Sequence, residues 1–206
     1  MKKLLIATRN SGKLLEISNF LSSLPIKTVS LADLGIKDNV EETGKTYQEN
    51  SVKKARFYAK LSGLPTIADD GGVEIDALGG APGVKSRRFF GKNGKEATDE
   101  EIMIAMKKLV AKFSPDKQDA TFKVVITLAL PNRETFSVEG EIKGILRDPR
   151  VKLLSGYPYR SFFYLPKIKK YYHESELSEE EQKLYNHRYK AIKKLKPIIK
   201  KILGFR

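Results

Sequence analysis

The chain has 206 residues, enough for one sizeable hydrophobic core and short for two independent domains. It carries 39 Lys and Arg against 25 Asp and Glu, and this net charge of +14 suits anionic partners: nucleotides, nucleic acid or a membrane surface. It contains no cysteine, which excludes disulfides, thiolate metal sites and cysteine nucleophiles, and no stretch approaches the roughly 18 apolar residues of a membrane helix.

Residues 3–8 form a short apolar run ending in a polar loop, and a helical pattern follows over 13–21: strand, loop, helix. The opening apolar stretch is too short for a signal peptide, so it reads as a first strand and the protein as cytoplasmic. Residues 26–31 read as a second strand. Over 46–61 the spacing is helical, with Tyr47, Val52, Ala55, Tyr58 and Ala59 on one face. Residues 66–68 lead into the segment ADDGG; 73–78 is strand or turn, and GGAPG is a turn cluster. A second amphipathic helix spans 98–113, with Thr98 as N-cap and acids in the first turn. Residues 120–130, rich in β-branched side chains, read as a central strand, and Thr135–Leu146 alternates like its hairpin partner. Residues 175–203 are largely helical, with Pro197 a kink or restart. No repeat, low-complexity tract or linker interrupts the order. The class is α/β with a mixed sheet and an antiparallel segment in the second half.

Five clusters carry candidate chemistry, each beside a plainer explanation. Thr8, Arg9, Asn10, Ser11, Gly12 and Lys13 join a strand to a helix, where backbone N–H groups and a lysine can cradle phosphates. This is not a Walker A loop, and on this stretch alone an ordinary capped turn is the simpler reading. Glu41 and Glu42, with Glu49, Asn50 and Lys54 downstream, form a second cluster, in which carboxylates on a loop before a helix can hold magnesium through oxygen ligands; a solvated acidic loop is the alternative. Asp69 and Asp70 repel each other, a cost usually tolerated where a cation or proton chemistry uses it, and Gly71 and Gly72 let backbone approach a ligand. An Asp-Gly turn is the alternative there. His187 and Arg188 open a helix and can grip phosphate or a base carbonyl, or form a surface pair. Tyr157, Tyr159, Phe162, Phe163 and Tyr164 can stack a nucleobase, or pack a core.

Taken in order, the motifs ATRNSGKLLE, EETGKTYQENSVKKA, ADDGGVEIDALGGAPGVKSRRFFG and NHRYKAIKKL resemble, over nearly the whole chain, the Ham1 (inosine triphosphatase-like) nucleoside triphosphate pyrophosphatases. The resemblance implies an elongated mixed β-sheet with flanking helices, a single domain over 1–206 with two lobes around a central nucleotide cleft. It implies that Thr8, Asn10, Lys13 and Lys54 meet the triphosphate. Glu41 or Glu42, with Asp69 and Asp70, would handle magnesium and the attacking water, Asp70 as general base. Gly71, Tyr157, Tyr159, Arg160, Gln182, His187 and Arg188 would contact substrate. The implied cofactor is Mg2+, the implied reaction removes pyrophosphate from inosine and xanthosine triphosphates, and a homodimer is expected. No membrane partner is expected, nor is nucleic acid.

The departures cluster. The family pattern Gly-Phe-Gly-Tyr-Asp-Pro is here Gly156, Tyr157, Pro158, Tyr159, Arg160, Ser161. An acceptor facing the base thus becomes a donor at Arg160. The family's Ser after the paired aspartates is Gly71, its Lys five places before the His is Gln182 (Lys183 lies one place off), and its Ser before the His is Asn186. Altered or relaxed base choice follows. Three rivals stand beside this reading. One is a pyrophosphatase for other modified or pyrimidine nucleotides, and one is a nucleotide- or polyanion-binding protein of the same fold without turnover. The third, from the basic residues of 187–206, is a nucleic-acid binder, against which stands a packed helix with a solvated basic face.

Overall fold

The computed structural model describes residues 2–92, 95–149, 151–152, 154 and 156–205. Seven strands, β1 (Lys2–Ile6), β2 (Ile26–Ser30), β3 (Thr66–Ile75), β4 (Asp119–Ala129), β5 (Thr135–Leu146), β6 (Phe163–Leu165) and β7 (Lys170–Tyr171), form one sheet in the order β2-β1-β3-β4-β5-β6-β7. β1 pairs in parallel with β2 and β3; β6 pairs antiparallel with β5 and β7, so the sheet is mixed. The helices are α1 (Ser11–Leu21), α2 (Tyr47–Ser62), α3 (Asp99–Val110), α4 (Glu179–Tyr185) and α5 (His187–Leu203). No described helix is long and apolar enough to cross a membrane.

The chain divides into two compact units: Met1–Asp70, Val124–Gly140 and Arg188–Arg206 make the first, Gly71–Lys123 and Glu141–His187 the second. In the first, the continuous apolar run of β1 is explained by burial on both faces, as in parallel strands generally. Leu4 and Ile6 face a core closed by Ile17 and Leu21 of α1 and Ala191, Ile192, Leu195 and Ile199 of α5. Leu5 and Ala7 face the opposite core, closed by Ala55, Tyr58 and Ala59 of α2. The second unit packs α3, through Ile102, Met106 and Val110, on Phe122, Ile142, Leu146, Phe162 and Phe163.

Local chemistry sets the element ends. Asn10 caps α1, so that helix begins at Ser11, two residues before the apolar pattern starts. Thr98 and Glu101 cap α3 reciprocally, as do Ser178 and Glu181 for α4. Two expectations need correction. The segment ADDGG is not a turn: Asp69, Asp70, Gly71 and Gly72 lie inside β3. β1 pairs with Thr66 and Ile67 at the start of β3, β4 lies on the other side, and membership of the sheet overrides the turn preference of Asp-Gly. The helical stretch 175–203 is two helices parted at the extended, buried Asn186, and α5 runs through Pro197 without restarting. The ring costs one helical hydrogen bond there, which the buried stripe Ala191, Ile192, Leu195 and Ile199 offsets.

Candidate functional site

The polar loop after β1 is self-capped. Thr8 Oγ1 accepts from the Asn10 N–H at 3.2 Å, and Asn10 Oδ1 accepts from the Lys13 N–H at 3.0 Å. This sets Lys13 in the first turn of α1, with its ammonium 3.1 Å from Asp69 Oδ2. Arg188, at the start of α5, donates from Nε to the same Asp69 oxygen at 3.0 Å and from Nη1 to Glu16 Oε2 at 3.2 Å. Lys54, on α2, pairs with Glu42 Oε1 at 2.6 Å. Asp70 Oδ2 accepts from Asn50 Nδ2 at 3.0 Å. The first unit thus gathers Lys13, Lys54, Arg188, Asp69, Asp70 and Glu42.

The two adjacent aspartates are shifted in opposite directions. Burial pushes the Asp69 carboxyl upward, but Lys13, Arg188 and Lys54 outweigh it and hold the group far below the usual carboxylate range. Burial and the nearby Glu42 carboxylate push Asp70 up to about 6, against the pull of Lys54, Asn50 and Lys13. The cations also differ. Burial, helped by the neighbouring Arg188 and Lys54, lowers Lys13 against the pull of Asp69 and Asp70. In Lys54 burial works the same way and loses to Glu42, Asp69 and Asp70, which raise it. A buried carboxylate that resists its own charge, beside one locked into charge, separates proton acceptor from cation holder.

The remaining sequence candidates fall elsewhere. Glu41 is exposed, whereas Glu42 is half-buried. Glu49 accepts from the Lys45 N–H at 2.6 Å and so serves the start of α2. Gly71 follows Asp70 in β3 as the first residue of the second unit. In that unit the guanidinium of Arg160, a buried residue, lies 3.9 Å from the ring centre of Tyr157 and 4.5 Å from that of Tyr172. The Tyr172 hydroxyl is 2.9 Å from His187 Nδ1, and His187 stacks on Phe122 at 5.3 Å. Tyr159 is a core residue whose hydroxyl donates to the Ser86 carbonyl at 2.5 Å. Phe162 and Phe163 are likewise core. Gln182 lies on α4, its carbonyl accepting the Asn186 N–H.

Sequence reasoning grouped Asn50 with the acidic loop without its partners, and missed Glu16. Asn50 is completely buried, with Oδ1 accepting from the Gly44 N–H at 2.7 Å and Nδ2 donating to Asp70. Glu16 shares Arg188 with Asp69. Neither residue type advertises such a role, and both partnerships join distant parts of the chain.

The Ham1 family model matches residues 4–198. A protein of Thermoanaerobacter pseudethanolicus named dITP/XTP pyrophosphatase is 42% identical over 203 residues, covering 98% of each chain. One of the same name from Geobacter sulfurreducens is 37% identical over 197 residues, covering 95% of this chain and 96% of its own. The solved structure of a HAM1 protein from Coxiella burnetii superposes with a TM-score of 0.81 at 34% identity, covering 98% of this chain and all of that one. End-to-end matches at this identity, on a site assembled from β1, α1, α2, β3 and α5, mean that the chain belongs to the Ham1 family.

Proposed function

We propose that this chain is a nucleoside triphosphate pyrophosphatase, a hydrolase that converts inosine- and xanthosine-type triphosphates, ribo or deoxy, to monophosphate and pyrophosphate. One observation carries the reading: two adjacent buried carboxylates shifted in opposite directions, surrounded by Lys13, Lys54 and Arg188. The printed names of the relatives, dITP/XTP pyrophosphatase, agree with it.

Water attacks the α-phosphorus, the bond to the bridging oxygen of the pyrophosphate breaks, and Asp70 takes the proton. Of the two aspartates, Asp70 is the one that burial and Glu42 push toward holding a proton, whereas Asp69 is locked into its charge. Lys13 and Lys54 bind the phosphates and oppose the charge that builds on the leaving group. Thr8 and Asn10 shape the loop that presents Lys13. Asp69 acts through the two cations it holds.

Magnesium suits the donor set. It takes one or two carboxylates together with phosphate oxygens and water, and the repulsion between Glu42 and Asp70 is what a divalent cation relieves. Glu42 and Asp70 would hold it. Bound there, it would neutralise phosphate charge and act as a Lewis acid. The stacking of Arg160 between Tyr157 and Tyr172 favours an altered base choice, since a donor stands where the family carries an acceptor. His187 and Gln182 complete the base side. A cytoplasmic homodimer completes the reading on the family resemblance.

The test is pyrophosphate release with magnesium from a panel of inosine, xanthosine, standard and modified triphosphates, beside Asp70→Asn. Release that vanishes in the variant is expected. Nucleotide binding with no release from any triphosphate would replace the enzyme with a binding protein.

A further inference from the structure

Asn50 occupies the first turn of α2 with no exposed surface. A buried amide is costly unless hydrogen-bonded, and a hydrophobic residue of similar size would fill the space as well. This amide has partners on both ends. The Gly44 N–H can only donate, so the atom it meets at 2.7 Å must be the amide oxygen. The other end is therefore the NH2 group, and it points at the Asp70 carboxylate, an acceptor, at 3.0 Å. Turning the amide over would set N–H against N–H and oxygen against oxygen, so its direction follows from chemistry alone.

Gly44 is part of the same device. A Cβ at that position would lie 2.6 Å from Asn50 Oδ1 and 2.7 Å from Glu49 Cβ, so only glycine lets the loop reach the amide. The terminal torsion of an aspartate is broad and soft, and a carboxylate that must meet an attacking water in one plane needs an outside donor to hold it.

We propose that Asn50, oriented by the Gly44 N–H, is a positioning residue that fixes the plane of the Asp70 carboxylate. The inference rests on the functional reading above, in which Asp70 accepts the proton.

Asn50→Asp keeps the size of the side chain and an acceptor for Gly44 and removes the donor to Asp70. Gly44→Ala changes no polar side chain and forces the amide to turn. For both, kcat for inosine triphosphate is expected to fall about 100-fold while KM stays within about threefold. Calorimetry with the α,β-methylene analogue of inosine triphosphate should give a Kd also within about threefold. Ser51→Ala is the packing control: it removes a buried hydroxyl 2.8 Å from Thr127, so it should lower the melting temperature and leave kcat unchanged. A kcat within about threefold of wild type in either variant overturns the proposal, as does a matching rise of KM and Kd, which would make Asn50 a binding group. A wild type that releases no pyrophosphate sinks the functional reading instead. The positioning is then judged by the Asn50 side-chain amide protons. They should be protected from exchange in the wild type and lose protection in Gly44→Ala, and exchange at solvent rates in the wild type overturns it.

Discussion

At the scale of single residues, Asp69 and Asp70 make opposite demands on pH. Asp70 titrates near 6 in the folded, metal-free protein, against about 3.9 for an unfolded aspartate. Its charged form is the one the fold resists, so it costs stability above pH 6 and nothing below about pH 4, a difference of about 2–3 kcal/mol. Asp69 is held far below its ordinary range, so its contribution is complete above about pH 4 and drains away in stronger acid. Urea melts in EDTA should therefore show the wild type gaining stability from pH 8 to pH 5 relative to Asp70→Asn. A gap between the two that stays constant across that window would contradict the raised Asp70. Lys13, Lys54 and the Asp69-Asp70 pair were legible in the sequence because their order along the chain resembled a family. Glu16 was not, and Asn50 was named there without its partners. A buried asparagine in a helix and a glutamate on another look ordinary until the fold brings Asp70 and Arg188 to them.

Elements were legible where local chemistry and global packing agree. Thr135–Leu146 coincides end to end with the predicted strand, because its alternation and the turn before it point the same way. The helix over 98–113 was found by its cap and ends three residues early, at Val110. β3 was the failure: Asp and Gly favour turns, and it is their place in the sheet, with β4 alongside, that goes with their extended form. Two substitutions rank these forces. Thr98→Ala removes one half of a reciprocal cap and should cost about 1 kcal/mol in a urea melt. Gly144→Ala should cost more, because its new Cβ would lie 2.5 Å from the Tyr164 carbonyl and 2.6 Å from the Phe163 ring, in the pairing of β5 with β6. The reverse order would mean that β6 shifts easily, so that close approach there is not what requires glycine.

For the whole molecule, charge and packing meet in α5. Residues 188–206 hold eight of the Lys and Arg and no acid. The exposed face of α5 is lysine-rich, including Lys193, Lys200 and Lys201, while its other face closes the core over Leu4, Ile6, Val124 and Ile126. A chain stopped after Tyr185 should therefore expose that apolar floor, bind hydrophobic dyes and aggregate on expression. A soluble truncated chain with a cooperative melt would show that α5 is dispensable. The first unit is stitched from three stretches of chain, the last beginning at Arg188. Translation thus delivers β1 well before its cover. Until α5 leaves the ribosome, the nascent protein carries an open greasy flank over Leu4 and Ile6, the kind of exposed surface that invites aggregation.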